Sequence, residues 1–174
     1  MSTPLIQDLA MLQQLEVFRE EENNDFLSYL KQQDGQSVDM LVHQLNNEVS
    51  KAINCTTCGN CCRSLMINVE PGEPEVLSEY LNIPLPVLKE KYIEESQQGR
   101  MIVNTIPCHF LEDNKCTVYE HRFKECHEFP HLHKSGFIQR FPGTLMHYGR
   151  CPIIFNVIEY LKTLINYEHN KDDE

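Results

Sequence analysis

Four of the eight cysteines fall within the eight residues Cys55-Thr-Thr-Cys-Gly-Asn-Cys-Cys62, in the pattern CxxCxxCC. Two thiolates separated by two residues can bend around one ion, because a tight turn brings both sulfurs to the same side. Gly59, directly after Cys58, suits such a turn, since glycine takes a positive φ without a steric penalty. Cys61, at the same interval again, brings a third sulfur towards one centre. Cys61 and its neighbour Cys62 project in different directions, which favours two centres, or one ligand beside a bystander.

The redox setting decides how such a block is read. The N-terminus, Met-Ser-Thr-Pro-Leu-Ile-Gln-Asp-Leu, carries neither a positive leader nor a continuous apolar segment, and no run approaches the about 20 apolar residues needed to cross a bilayer. The expectation is a cytoplasmic chain without a membrane span, whose thiols stay reduced and read first as metal ligands rather than disulfides. A thioredoxin-type CxxC pair needs a βαβ context that the sequence does not offer. Fifteen Lys and Arg against 26 Asp and Glu leave a formal charge of −11. That balance argues against a nucleic-acid partner, because an acidic surface repels a phosphate backbone.

The other four cysteines, Cys108, Cys116, Cys126 and Cys151, are dispersed, each at a turn or an element end. Cys151 precedes Pro152 at the start of an apolar run. A thiolate at a helix N-terminus is stabilised by exposed N–H groups, so this position suits a metal ligand and is expected to lower the thiol pKa. The candidate ligand set is therefore Cys55, Cys58, Cys61, Cys62, Cys108, Cys116, Cys126 and Cys151, holding zinc or an iron–sulfur cluster. Two arrangements fit. Cys55, Cys58 and Cys61 with the remote Cys151-Pro152 follow the CxxCxxC…CP order of bacterial ferredoxins. Alternatively, the eight thiols divide into two tetrahedral zinc sites. His127, His131 and His133 are supplementary candidates, although Pro130 breaks any helical register among them. Arg63 and Arg122 stand near cysteines in sequence, as ion-pair partners or as counter-charges to a tetrathiolate.

Around these residues the pattern reads as follows. Residues 4 to about 32 look helical, with Leu5, Leu9, Leu12 and Leu15 on one face. Asp34-Gly35 breaks the segment, and Ser37 is placed as N-cap of a second helix bearing Val38, Leu41, Val42, Leu45 and Val49 at helical period. Leu65, Ile67 and Val69 alternate as a short strand. Pro74 opens a helix expected to bury Val76, Leu77, Tyr80 and Leu81, and a further helix carries Val87, Leu88, Tyr92 and Ile93. Met101 to Ile106 reads as a strand, and Asp113-Asn114 as a hairpin turn leading to Cys116-Thr-Val-Tyr119. A helical turn follows between Tyr119 and Pro130. Gly136 and Pro142-Gly143 mark a loop-rich passage, and a final helix starts at Pro152 with Ile154, Val157, Ile158, Leu161, Leu164 and Ile165 inward. The tail from His169 is polar and expected to fray.

The expected fold is α+β: a small, mainly helical single domain with a few short strands, stapled by cysteine-ligated metal. Residues 1–50 form an N-terminal helical arm through which a protein partner can be held, and residues 51–174 form the cysteine-cluster domain with its C-terminal helix. No serine–histidine–acid order, phosphate loop or catalytic carboxylate pair stands out, so no catalytic residue is named.

Over about residues 51 to 155 the chain resembles the YkgJ-like cysteine-cluster proteins, described as zinc- or iron-chelating domains. The resemblance rests on Cys55 to Cys62, Cys108-His-Phe-Leu111, Cys116-Thr-Val-Tyr-Glu120, Cys126-His-Glu-Phe-Pro130 and Cys151-Pro152. The chain departs from the family at Arg122-Phe123, where Arg-Pro is common, and at Cys126-His127, where Cys-Arg is common. The resemblance implies a metal-binding protein of accessory or structural role. A related cysteine cluster in flagellin lysine-N-methylase implies the alternative of an iron–sulfur enzyme acting in protein modification or redox chemistry. The glycine-rich loop of Rossmann-like methyltransferases and the CxxxCxxC motif of radical enzymes are both missing from the sequence.

Overall fold

The computed structural model describes residues 4–103 and 105–169. Helices dominate and the strands are short, so the class is α+β. The contacts divide the chain into two compact units, residues 1–54 with 130–174, and residues 55–129. No described helix is long and apolar enough to cross a membrane.

In the first unit, Asp8 caps α1 (Leu9–Phe18) by accepting the Met11 N–H at 2.7 Å. The predicted continuous helix breaks at Arg19, whose φ of −107° and ψ of 16° leave the helical region. Glu20, Glu21 and Glu22 then open α2 (Glu20–Leu30), where acidic side chains meet the positive end of the new helix. Asp34, rather than the expected Ser37, caps α3 (Gly35–Ala52). Its carboxylate accepts both the N–H and the hydroxyl of Ser37, at 2.8 and 2.7 Å. Starting the helix three residues earlier leaves its apolar stripe in phase, and Val38, Val42, Leu45 and Val49 are buried.

The passage expected to be loop-rich holds α9 (Phe137–Leu145), with Pro142 inside it. Two forces override proline's missing N–H. Phe137, Phe141 and Thr144 are buried on one face, and the Asp39 carboxylate of α3 accepts the Gly136 and Phe137 N–H groups at 2.8 Å each. The final helix α10 (Pro152–Leu164) follows Cys151 as its N-cap and packs on α3. It is buried over most of its surface, although Leu164 is exposed. Asn156 clasps the incoming chain, accepting the Ile6 N–H at 3.0 Å and donating to the Ile6 carbonyl at 2.7 Å. Lys162 is buried against Glu22 and Glu159, at 2.6 and 3.0 Å. Of the tail expected to fray, residues 170–174 lie outside the described residues.

The second unit carries all the strands found among the described residues. β1 (Asn68–Val69), β2 (Ile93–Glu95) and β3 (Met101–Val103) form an antiparallel sheet with β3 in the centre. Its register sets Val69 and Glu95 opposite Met101, and Ile93 opposite Val103. Val69, Ile93, Met101 and Val103 are all buried on a core shared with Leu77 and Leu88. Those two leucines come from α6 (Glu73–Leu81) and α7 (Leu85–Tyr92). Val76 and Tyr80, expected inside with Leu77, stand 56% and 49% exposed, and Val87 of α7 is exposed too. In helices this short a single buried residue per turn suffices, and the flanking apolar side chains face solvent. β4 (Leu111–Glu112) and β5 (Lys115–Cys116) make the expected hairpin, with Asp113 and Asn114 both at positive φ.

Replacing Asp39 with alanine strands two amide donors at the start of α9. We expect a loss of about 1–3 kcal/mol, read from urea unfolding, with Asp39→Asn recovering part of it because one amide oxygen still accepts.

Candidate metal centre

Seven of the eight cysteines lie in the unit Cys55–Phe129, and local structure explains how each is placed. Cys55 and Cys58 occupy a single helical turn, α4 (Cys55–Cys58), and Cys61 and Cys62 lie in α5 (Asn60–Ser64). Gly59 joins the turns at φ 60°, and its N–H returns to the Cys55 carbonyl at 3.1 Å. Two constraints meet at this glycine. The left-handed backbone disfavours any side chain, and a Cβ there would lie 2.8 Å from the Asn114 carbonyl oxygen at the hairpin tip. The CxxCxxCC block is thereby seated directly on the β4–β5 hairpin. Arg63 fastens the same corner by donating from Nη1 to the Cys58 carbonyl at 3.0 Å.

The dispersed cysteines reach this corner through the backbone. The Cys108 N–H donates to the Cys62 carbonyl at 2.8 Å, and the Cys108 carbonyl accepts from Leu111 at the start of β4. Cys116 ends β5 opposite Leu111. Cys126 lies within α8 (Lys124–Glu128), and Cys108, Cys116 and Cys126 all pack against the unit's hydrophobic core. Arg122 stacks its guanidinium 3.8 Å from the Tyr119 ring centroid and donates to the Tyr119 carbonyl at 2.5 Å.

Cys151 belongs to the other unit, buried as the N-cap of α10. His127 is exposed on α8, whereas His131 and His133 fall in the first unit, so the three histidines do not form one group within either. The His131 carbonyl, in a residue with φ of 60°, accepts from Arg140 at 3.1 Å.

All eight cysteines are free of disulfides. The Sγ atoms of Cys61 and Cys62 stand 3.9 Å apart, close to the about 3.8 Å that separates two sulfurs on one tetrahedral zinc at Zn–S of about 2.3 Å. Among the described residues, no three Cys, His, Asp or Glu side chains are already gathered to hold an ion. The electrostatics nonetheless show a crowd of thiols. Burial pushes the Cys126 thiol up to about 12, helped by the charges of Cys62, Cys108 and Cys116 and eased by Arg122. Cys62 is raised further, first by its contact with Cys61 and then by burial. Cys108 and Cys116 are raised by burial and then by neighbouring thiols. At Cys55 burial again comes first and Cys58 second, with Arg122 opposing. Thiols that resist ionisation because they are withdrawn from water and, in second place, lie near one another are relieved by a bound cation, so the chemistry of the donor set fits a thiophilic metal.

The chain matches the family model described as "CxxCxxCC: putative zinc- or iron-chelating domain" over residues 54–144, more than half its length and including every cysteine except Cys151. It belongs to that family. Comparisons with curated proteins and with solved structures returned no match.

The raised thiols give a pH prediction for chelator-treated, reduced protein. The folded chain holds these protons more tightly than the unfolded one, so their contribution is complete below the ordinary 9.0 and is lost as pH climbs towards about 12 at Cys126. Urea unfolding across that range should show stability falling with pH, and less steeply in Cys126→Ser.

Proposed function

We propose that this protein is a thiolate metal chelator in which the metal serves as a structural element of the 55–129 unit. The observation that supports this best is that seven free thiols fall in one unit, beside a core served by strands of only two or three residues. Cys55, Cys58, Cys61, Cys62, Cys108, Cys116 and Cys126 are the donors within that unit, and Cys151 is the eighth candidate. Bound zinc supplies cross-linking among segments distant in sequence, so that binding energy becomes folding energy. An iron–sulfur cluster supplies the same cross-links and adds electron transfer. Arg63 and Arg122 act as counter-charges to the assembled thiolates, since Arg63 lowers the Cys62 pKa and Arg122 that of Cys55, Cys116 and Cys126. An accessory role in the cytoplasm accords with this chemistry.

The test is elemental analysis with an ultraviolet–visible spectrum, on protein purified without oxygen and without a metal-binding tag. Stoichiometric zinc and no colour support the structural chelate. Iron with labile sulfide and a broad band near ~400 nm assigns a redox-active cluster. Neither metal, with every thiol titratable, overturns the proposal. Stripping the metal with a strong chelator should also lower the far-ultraviolet ellipticity and the thermal midpoint, and stoichiometric metal should restore both.

A further inference from the structure

Helices α1 and α2 precede the matched family region, and one side of them is spent on the fold. Leu12 and Phe26 are fully buried, Glu16 lies against Gly149, and Glu22 is bonded to Lys162 of α10. The other side of α1 is apolar and faces solvent. Met11 is 46% exposed, and Val17 and Phe18 are each 75% exposed, more than any other large apolar side chain among the described residues. With about 3.6 residues per turn, positions seven apart return to the same side of a helix. Met11 and Phe18 therefore form one row, and the exposed Ala10 and Val17 form the adjacent one, with Gln14 between. Two such rows are the spacing at which one helix packs along another, and methionine and phenylalanine are side chains that anchor such contacts.

Charge selects the occupant. Residues 1–30 hold six acidic residues and a single basic one, Arg19, which is turned onto Glu159 and so does not offset them. The break at Arg19 leaves Glu20 and Glu21 exposed directly after Phe18, and Asp8 is exposed at the other end of α1. A second copy of this chain laid on α1 sets acid against acid in either direction: Glu20 and Glu21 meet their own counterparts when parallel, and Asp8 when antiparallel. An anionic lipid surface meets the same repulsion. A helix with basic residues at both ends of its apolar face meets attraction instead.

We infer that the exposed face of α1 is a docking surface for a helix of another protein, apolar along one side and carrying Lys or Arg where it passes Asp8 and Glu20-Glu21. The ten residues of α1 span about 15 Å, so the partner contributes roughly three turns. Val17 and Phe18 supply the apolar contact, Met11 adapts to the shape of what faces it, and the glutamates set orientation. The inference does not rest on the chelating function proposed above.

The experiment titrates the full chain, as purified, into a fluorescent synthetic helix with leucines along one side and lysines at both ends of that side. One control peptide replaces the lysines with glutamates, and another scrambles the leucines. The inference predicts saturable binding of the first peptide alone, weakening as salt is added, with chemical-shift changes centred on Met11, Val17 and Phe18. Phe18→Ser should weaken binding by about tenfold or more, and Glu20→Gln with Glu21→Gln should remove most of the salt dependence. Both variants should keep the far-ultraviolet spectrum, because these side chains are exposed. Shift mapping on the unmutated chain decides the matter even where a variant fails to fold. No saturable binding, equal binding of either control, shift changes away from α1, or equal losses from Val87→Ser on α7 would overturn the inference. A dimer of this chain, or adhesion to phosphatidylglycerol vesicles, that Phe18→Ser abolishes would overturn it too, giving the face to a second copy or to a membrane.

Discussion

Partial burial of thiols, with their mutual crowding added to it, is the constraint on which the 55–129 unit depends. Cys62 shares its surroundings with Cys55, Cys61, Cys108, Cys116 and Cys126, and the result is a set of sulfurs that ionise reluctantly on their own. A half-buried set of thiols of that kind is inert while neutral and costly to ionise without a cation. A cation changes the balance, because it makes every ionised sulfur a ligand. The short strands follow the same logic. With only Val69, Ile93, Met101 and Val103 facing inward from the sheet, the unit gains from cross-links that replace a larger core.

Backbone devices do the positioning. Gly59 is the clearest, since both its positive φ and its approach to the Asn114 carbonyl exclude a side chain. The Cys108–Cys62 hydrogen bond and the Asp113-Asn114 turn complete a frame in which the CxxCxxCC block, the Cys108 segment and the hairpin meet at one corner. Arg63 and Arg122 sit on that frame through carbonyl contacts with Cys58 and Tyr119, which fixes positive charge beside the sulfurs without placing a cation among them.

Much of this is legible in the sequence where one residue type carries one physical meaning. CxxCxxCC, the glycine within it, the Asp113-Asn114 hairpin and Cys151-Pro152 at a helix start all state their geometry locally. The stripe of Val38, Val42, Leu45 and Val49 does so over about three turns. What escapes is whatever depends on distant partners. Nothing near Pro142 announces a helix, because the cap that starts α9 is Asp39, almost a hundred residues earlier. Val76, Tyr80 and Val87 lie in helices too short for periodicity to fix which side is covered. Ser37 and Asp34 are both good caps, and only the observed carboxylate contacts select between them. How the sulfurs divide among ions is likewise a matter of assembly, which spacing alone leaves open.

The most direct test of the account is X-ray absorption at the edge of the native metal, since it reads the ligating atoms whether that metal is zinc or iron. A thiolate centre predicts a first shell of sulfur alone, near ~2.3 Å. A first shell dominated by nitrogen or oxygen at about 2.0–2.2 Å would contradict it, and would move the ligands from the cysteines to histidine or carboxylate side chains.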